Sequence, residues 1–481
     1  MKALREKPVP PSSENTIDFL RRGTSVRPAS TIPQQGKSRT RLPEGTRIEQ
    51  KERFFLFRFG KRLLFLIGLV LSVVFLQACS GSAGNTAKVK LTMSAWGNPA
   101  ELKVYQKAID AYMKENPEVD IELIPIASDG YEQKLMTQLT GNSGADLFYV
   151  GAEYMSRVVE GDAAEPLTSF LNSEESDTSP DAYAEGLWGA AKKDGEIYGV
   201  PVDCNPLVMY YNKDLFKELG IKTPQQYYDE GKWNWDAFKE VTTELKKGGK
   251  KGYIQENTLQ QVESWIWSNG GSVYDDNGQL VLDKNKEAQE AIAFMNSLVQ
   301  EGNAVYAGTL PEGQGLDAMF LSKQVGMISA GRWLTPMFHE AGVHFDYIPW
   351  PTNTGKKTEP VAIPTAYLSV NAHSEHKEEA MKFLSFYVSE AGQTARLSGI
   401  GNAIPSVTGI DDIVTDEPPH TDYMNEARET GYAHGTPQSK SALTPGLVNE
   451  LQDLYEVMLL GKASPEETVE KVVKTIQSMS K

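Results

Sequence analysis

The feature that most constrains the fold is an alternation of apolar strand-like stretches and helical periodicity between residues 88 and 151. The stretches 88–96, 119–126 and 145–151 are rich in apolar residues. Between them, apolar residues recur at helical spacing, and the first helical segment stops at Asn116-Pro117. Strand, helix, strand, helix, strand predicts a parallel sheet with crossover helices, whose ligands bind at the carboxyl ends of the strands.

A second α/β block begins near residue 203. Strands are predicted at 206–212, 325–330 and 366–370. Helices are predicted at 235–247, with Asn234 as N-cap, and at 286–302, 376–388 and 466–479. Asn277-Gly278 is a hairpin turn signal. A chain of 481 residues can bury at least two cores, so two or three domains are expected.

The N-terminal part has a different composition. Residues 1–57 are basic and lack hydrophobic periodicity, which predicts a disordered leader. Residues 63–76 are an apolar run preceded by Arg58, Lys61 and Arg62. The run is shorter than the roughly 20 residues of a bilayer-spanning helix, and with its basic flank it is typical of a secretory signal. We therefore predict a signal peptide at 58–78, followed by a tether at 79–87.

The signal-like segment ends in Leu76-Gln77-Ala78-Cys79, which resembles the bacterial lipobox. The resemblance implies that Cys79 becomes the lipidated first residue of a mature protein, anchored to the outer face of the cytoplasmic membrane. The alternative is a core cysteine after an apolar strand. If Cys79 is lipidated, Cys204 has no intrachain partner and is predicted to be an inert buried thiol.

Charge also changes at Cys79. Of 48 Lys and Arg residues 15 precede it, but only 6 of 64 Asp and Glu residues do, so the part from Cys79 onward carries a net charge of −25. This charge disfavours binding to nucleic acid and to anionic membrane surfaces. It predicts an exported protein whose ligand is neutral or cationic.

Five local patterns, in order, resemble extracellular solute-binding proteins of the maltose-binding type. They are "GEIYGVPVDCNPLVMYYNKDLFKELGI" (195–221), "WNWDAF" (233–238), "DAMFLSKQVGMISAGRWL" (317–334), "HKEEAMKFLSFYVSEAGQ" (376–393) and "GKASPEETVEKV" (461–472). The resemblance covers about residues 88–479.

The resemblance implies a two-lobed, periplasmic-binding-protein-like (type II) α/β fold with a hinge and an interlobe cleft. Lobe one would comprise 88–202 and 361–402, and lobe two 203–360 and 403–481. The implied function is non-catalytic: a monomer without cofactor captures an oligosaccharide and delivers it to the permease subunits of an ABC importer, attached to the membrane through its lipid anchor and without nucleic-acid contacts.

A sugar site needs flat aromatic rings for the apolar ring faces, and carboxylates or amides for the hydroxyl edges. Trp96 and Asn98 follow the first predicted strand, and Trp333 stands where the family commonly places a stacking Trp. Core packing is the alternative for both Trp residues. Further ligand-binding candidates are Glu153, Tyr154, Asp203, Glu256, Asn257, Trp265, Arg332 and Tyr367. For Asp203 a hinge salt bridge, and for Arg332 a surface salt bridge, are the alternatives. Tyr367 lies in "AIPTAY", where many relatives have a Gly-Gly-Trp-like turn.

Two other classes of function stay open at this point. One is a binding protein for a peptide, a polyamine or ferric ion. The other is a secreted carbohydrate hydrolase with Glu153 and Asp203 as its paired carboxylates. His339-Glu340 lacks the second His of a zinc-protease motif, and His373 with His376 is more typical of a solvated helix start.

Overall fold

The first strand buries Leu91, Met93 and Ala95 on one face, as the alternation of its sequence predicts. The computed structural model describes residues 88–128, 130–311, 314–414, 419–434 and 439–480, all of which belong to one compact unit. The predicted leader, signal peptide and tether, including Cys79, lie outside the described residues.

The strands, in chain order, are β1 (Val89–Trp96), β2 (Val119–Ile126), β3 (Leu147–Gly151), β4 (Lys192–Lys193), β5 (Glu196–Ile197), β6 (Val200–Pro201), β7 (Val208–Asn212), β8 (Lys251–Gln255), β9 (Ala304–Tyr306), β10 (Val325–Ala330), β11 (Phe345–Ile348) and β12 (Ala366–Val370). The helices are α1 (Pro99–Glu115), α2 (Tyr131–Thr140), α3 (Ala152–Glu160), α4 (Thr168–Leu171), α5 (Lys213–Leu219), α6 (Pro224–Asp229), α7 (Trp235–Lys247), α8 (Leu259–Ser268), α9 (Lys286–Gln300), α10 (Leu316–Leu321), α11 (Thr335–Glu340), α12 (Lys377–Val388), α13 (Glu390–Leu397), α14 (Thr421–His434), α15 (Leu447–Leu459) and α16 (Pro465–Met479).

One five-stranded sheet has the order β2-β1-β3-β12-β6, and we call the part built on it the first lobe. Strands β2 and β3 run parallel to β1. Strand β12 is antiparallel to β3, and β6 is antiparallel to β12 and therefore runs in the same direction as β1. The carboxyl ends of β1, β2 and β3 therefore meet at one edge, and the start of β12 joins them because Ala366 pairs with Gly151. This edge carries much of the candidate site.

A second five-stranded sheet has the order β11-β7-β10-β8-β9, and we call the part built on it the second lobe. Strands β8 and β9 are parallel neighbours, β8 is parallel to β10, and β7 runs antiparallel to both β10 and β11. Tyr210 and Tyr211 pack into different hydrophobic clusters on the two faces of this sheet, as adjacent strand residues must.

The chain crosses between the sheets more than once. Strand β6 is in the first sheet and β7 in the second, with a bridge from Cys204 to Ile404 beside the crossing. After β11 the chain returns to the first sheet as β12, and α12 contributes Phe383 and Tyr387 to the first lobe's core. Helices α15 and α16 pack in the core of the second lobe. Cys204 is completely buried, as predicted.

Most of the predicted elements are confirmed, and four match residue for residue: β2, α7, β10 and β12. Asn234 caps α7 by accepting a hydrogen bond from the backbone amide of Ala237. The hairpin signal at Asn277-Gly278 gives only a turn with a single bridge, between Tyr274 and Leu280. Strand β8, an inner strand of the second sheet, was not predicted.

Candidate functional site

A cavity of about 280 Å³ lies at the strand edge of the first sheet, between the two lobes. Its lining residues come from both lobes and from the segments that cross between them. They are Trp96, Glu101, Tyr105, Ser128, Tyr149, Gly151, Glu153, Asp203, Asn205, Trp333, Pro364, Thr365, Ala366 and Asn402. Of the predicted site residues, the structure brings Trp96, Glu153, Asp203 and Trp333 together here, with Asn98 adjoining.

Two tryptophans give the cavity flat apolar surfaces. Trp96, at the end of β1, is partly buried and is held edge-to-face by Tyr131 and Tyr149, at ring-centroid distances of 4.9 and 5.6 Å. Trp333, just after β10, is also partly buried and lies against Gly331, where an added Cβ would come within 2.1 Å of its ring. Glycine at 331 is therefore required for this position of the Trp333 ring.

The first turn of α1 supplies an acid that the sequence reasoning missed, Glu101. Asn98 caps the helix, and the Glu101 carboxyl in return accepts hydrogen bonds from the Asn98 backbone amide (2.9 Å) and Nδ2 (2.8 Å). Tyr105 also donates to it, at 3.4 Å. Only 6% of Glu101 is exposed, and this burial raises its pKa to about 8. The N-P-A-E capping box after the first strand is the sequence signal by which Glu101 could have been found.

Asp203 lies at a lobe crossing, beside a buried arginine. Its Oδ2 is 3.7 Å from the Arg396 guanidinium, and Asn205 Nδ2 donates to its Oδ1 at 3.3 Å. Burial raises the pKa of Asp203 to about 6, a shift that Arg396 and Asn205 counteract only in part. Arg396 is itself completely buried, donates to the Val202 carbonyl and lies over the Tyr387 ring. Asp203 thus both lines the cavity and forms the hinge ion pair that was its alternative assignment.

Glu153 lies in the first turn of α3, directly after β3. Burial raises its pKa, and the nearby Glu132 carboxylate raises it further. An added Cβ on Gly151 would come within 2.6 Å of Glu153 Oε2, so the absence of a side chain at 151 lets the carboxylate fold back over the strand end. Tyr154, the next residue, is partly buried in the first lobe and does not line the cavity.

The structure corrects three site predictions, because Trp265, Arg332 and Tyr367 are completely buried and none lines the cavity. Trp265 is packed in the second lobe's core, and its Nε1 donates to Gln255 at 2.9 Å. Arg332 donates to the Tyr347 hydroxyl at 2.9 Å and is buried, so it does not lie at the surface, where its alternative assignment would place it. The Tyr367 hydroxyl donates to the Leu187 carbonyl.

Glu256 and Asn257 follow β8 but do not line the cavity either. Gln261 donates to Glu256 Oε2 at 2.6 Å, and Asn257 Nδ2 donates to the Gln452 carbonyl at 3.0 Å. Both side chains therefore serve the packing of α8 and α15.

Sequence reasoning also missed Asn205 and Asn402, which reach the cavity from the crossing segments. The backbone amide of Arg332 donates to Asn205 Oδ1 at 2.9 Å, which ties the crossing to the residue before Trp333. Asn402 is 1% exposed.

Two absences concern the residues that the structure describes. There, no group of three His, Cys, Asp or Glu side chains is arranged to hold a metal ion. Across the same ranges, no helix is long and apolar enough to cross a membrane.

Two α/β lobes with a ligand-sized cavity between them define the class of two-lobed binding proteins. Residues 96–394 match the family described as bacterial extracellular solute-binding protein, and the chain belongs to this family. It is therefore an exported protein.

The individual relatives have low sequence identity to this chain, but they align with it over most of their length. A binding protein of Brucella abortus (strain 2308) is 26% identical over 319 residues, which cover 64% of this chain and 73% of that protein. The multiple sugar-binding protein of Streptococcus mutans is 24% identical over 364 residues, covering 67% and 77%. Among solved structures, an ABC substrate-binding protein of Listeria monocytogenes in complex with cycloalternan aligns with a TM-score of 0.70 at 23% identity, over 82% of this chain and 99% of that one. This last match supports the two-lobed fold.

Proposed function

We propose that this protein captures an oligosaccharide in the interlobe cavity and delivers it to the permease of an ABC importer. The observation that carries the proposal is the pairing of Trp96 from the first lobe with Trp333 from the second at one cavity, beside buried carboxylates. Aromatic rings suit the C–H faces of sugars, and carboxylates accept hydrogen bonds from their hydroxyls. The multiple sugar-binding relative supports this ligand class.

The proposed mechanism is closure of the lobes on the ligand. Lobe one (88–202 with 361–402) and lobe two (203–360 with 403–481) would each present one Trp, and the ligand shifts the open–closed equilibrium by its greater affinity for the closed form. The closed form would be the one that the permease recognises. Glu101, Glu153 and Asp203 would orient the sugar by its hydroxyl edges.

We propose a non-catalytic role for the carboxylates. Asp203 is ion-paired with Arg396, and Glu101 is fixed in the capping box of α1. Of the two carboxylates that a hydrolase would pair, Glu153 and Asp203, the second is thus engaged by Arg396 rather than poised as an acid or a base across a scissile bond, and Glu101 is engaged as well.

The second part of the proposal is a lipid anchor at Cys79, which would hold the protein at the outer face of the cytoplasmic membrane. The protein would act there as a monomer. Mass spectrometry of the protein from membranes tests it. We expect an N-terminal diacylglyceryl-modified Cys79, and an unmodified Cys79 within a longer chain would refute the anchor.

A thermal-shift panel of oligosaccharides tests the ligand class. A ligand present at 100 times its dissociation constant adds about 2.7 kcal/mol to the free energy of unfolding. The recovered sugar should be chemically unchanged. A hydrolysed sugar would identify an enzyme, and stabilisation only by spermidine, a peptide or ferric ion would contradict the sugar proposal.

A further inference from the structure

The lining of the cavity is strongly asymmetric in charge. Glu101, Glu153 and Asp203 all contribute to it, whereas no Lys, Arg or His is among the described residues that line it. A neutral sugar needs only hydrogen bonds at its edges, and amide or hydroxyl groups supply these without the cost of burying charge. A neutral sugar therefore does not explain why three acidic residues line one small cavity.

Two of the three carboxyl groups have an ion-pair or hydrogen-bond partner within the protein. Asp203 is paired with Arg396, at 3.7 Å. Glu101 accepts from the Asn98 amide groups and from Tyr105, and the raised pKa of this residue keeps it protonated at neutral pH.

Glu153 differs, because no cation pairs with it in the described part of the chain. The arginine on its own helix, Arg157, is bound instead to Glu132. Among the described residues, only its own backbone amide donates a hydrogen bond to the Glu153 carboxylate, and Glu132 adds a second negative charge nearby. This carboxylate is the unbalanced charge of the cavity.

Hydrogen-bonding capacity is asymmetric in the same direction. Asn205 Nδ2 donates to Asp203, and the hydroxyls of Tyr105 and Thr365 donate to Glu101 and to the Ile363 carbonyl. In contrast, Asn402 Oδ1 is a buried acceptor that has no hydrogen-bond partner within the described ranges. These three donors are thus engaged within the protein, whereas the Asn402 oxygen and the Glu153 carboxylate are open acceptors, which favours a ligand with several donors.

We infer that the ligand carries a protonated amino group, as in an oligosaccharide built from amino sugars, and that this ammonium binds at Glu153. An ammonium group has three donors and no acceptor, which matches the open acceptors of the cavity. Cation–π attraction to the ring face of Trp96 or Trp333 would further stabilise the bound ammonium group. This inference rests on the proposed function, because it takes the cavity to be the sugar site.

Matched oligosaccharides test the inference. The full chain, solubilised in detergent, is titrated by calorimetry with α-1,4 and β-1,4 oligosaccharides whose C2 carries a hydroxyl, an acetamido or a free amino group, and with spermidine. We expect the free-amino form of one linkage to bind about tenfold or more tightly than its hydroxyl and acetamido counterparts. Its affinity should fall as salt is added, because the contact is ionic.

Two variants locate the contact. Glu153→Gln keeps the shape of the side chain but removes its charge, and it should abolish the preference for the amino form over the hydroxyl and acetamido forms. Glu160→Gln removes a carboxylate from the exposed end of the same helix and should preserve the preference.

Each contrary outcome has a distinct meaning. Neutral sugars that bind as tightly as amino sugars, or a preference that survives Glu153→Gln, would overturn the inference and leave the proposed function standing. Binding of spermidine without binding of any oligosaccharide, or no binding by any compound of the panel, would overturn both.

Discussion

Asn98 Nδ2 donates a hydrogen bond of 3.3 Å to the carbonyl oxygen of Trp333, which joins the first helix of one lobe to the aromatic surface of the other. The same Asn98 side chain caps α1 through Oδ1. A second contact, the exposed ion pair between Lys103 and Glu340, also links α1 to α11. Exposed pairs of this kind contribute only about 0–1 kcal/mol, so Asn98 is the more informative residue for lobe closure.

The first prediction separates the two roles of Asn98. Asn98→Ser retains an oxygen that can cap α1 but removes the donor to Trp333, so the free energy of unfolding should change by less than about 1 kcal/mol. The closed form should become less populated and the dissociation constant larger, which small-angle scattering and calorimetry measure. An unchanged scattering profile with unchanged affinity would show that this contact does not contribute to closure.

The second prediction concerns Trp333. Trp333→Ala should weaken ligand binding by about 2 kcal/mol or more, because large aromatic residues at the centre of a contact carry much of the binding energy. The contrasting variant is Trp265→Ala, which should instead lower the free energy of unfolding by about 3–5 kcal/mol through loss of core packing, with little effect on the affinity of the folded fraction. Calorimetry and urea unfolding distinguish the two. Equal affinities of Trp333→Ala and wild type would remove this residue from the site.

The third prediction is a pH dependence of stability that arises from Glu101. The folded-state pKa of about 8 lies above the ordinary value of 4.5, so between these pH values the folded state holds a proton that the unfolded state has released. The free energy of unfolding should therefore fall as pH rises from about 4.5 to 8, by up to about 1.4 kcal/mol per pH unit.

Glu101→Gln should flatten that slope, because the amide resembles the protonated acid and does not titrate. Glu115→Gln, at the exposed end of the same helix, should leave the slope unchanged. Urea unfolding at a series of pH values measures the difference, and equal slopes for the wild-type chain and Glu101→Gln would contradict the assignment.

The fourth prediction concerns the buried pair of Asp203 and Arg396. Arg396→Met leaves the Asp203 carboxylate without its cation and should destabilise the fold by about 3–5 kcal/mol at neutral pH. Adding Asp203→Asn should recover part of this loss, because the second change removes the unpaired charge. A double-mutant cycle in chemical unfolding measures the coupling, and additive effects would show that the two side chains are energetically independent.

The sequence predicted the fold well where local pattern and tertiary environment agree. Helix α7 combines a clear N-cap with an apolar face, and β10 and β12 are short apolar runs flanked by turns, so their bounds were found without error. Strand β8 was missed because its sequence, KGYIQ, has one lysine, one glycine and little alternation. Its strand conformation depends on pairing with β9 and β10, which local sequence does not encode.

The sequence predicted those site residues that follow the ends of strands, but not the ones whose position depends on tertiary packing. Strand ends identified Trp96, Glu153 and Trp333, because the edge of a parallel sheet is set by topology. Sequence gives no direction for a side chain beyond that edge, and so Trp265 and Tyr367 were assigned to the ligand although both are core residues. Glu101 was overlooked because an acid in the first turn of a helix is ordinarily a cap, and only its burial beside the cavity distinguishes it.

The most direct test of the central claim is a crystal structure of the protein with the tightest-binding oligosaccharide of the panel. We predict a sugar ring against the face of Trp333 in the cavity between the lobes, with its polar edge within hydrogen-bond distance of Glu153 or Asp203. Ligand bound elsewhere, for example in the second-lobe pocket beside Tyr228 and Trp233, with the interlobe cavity empty, would contradict the account.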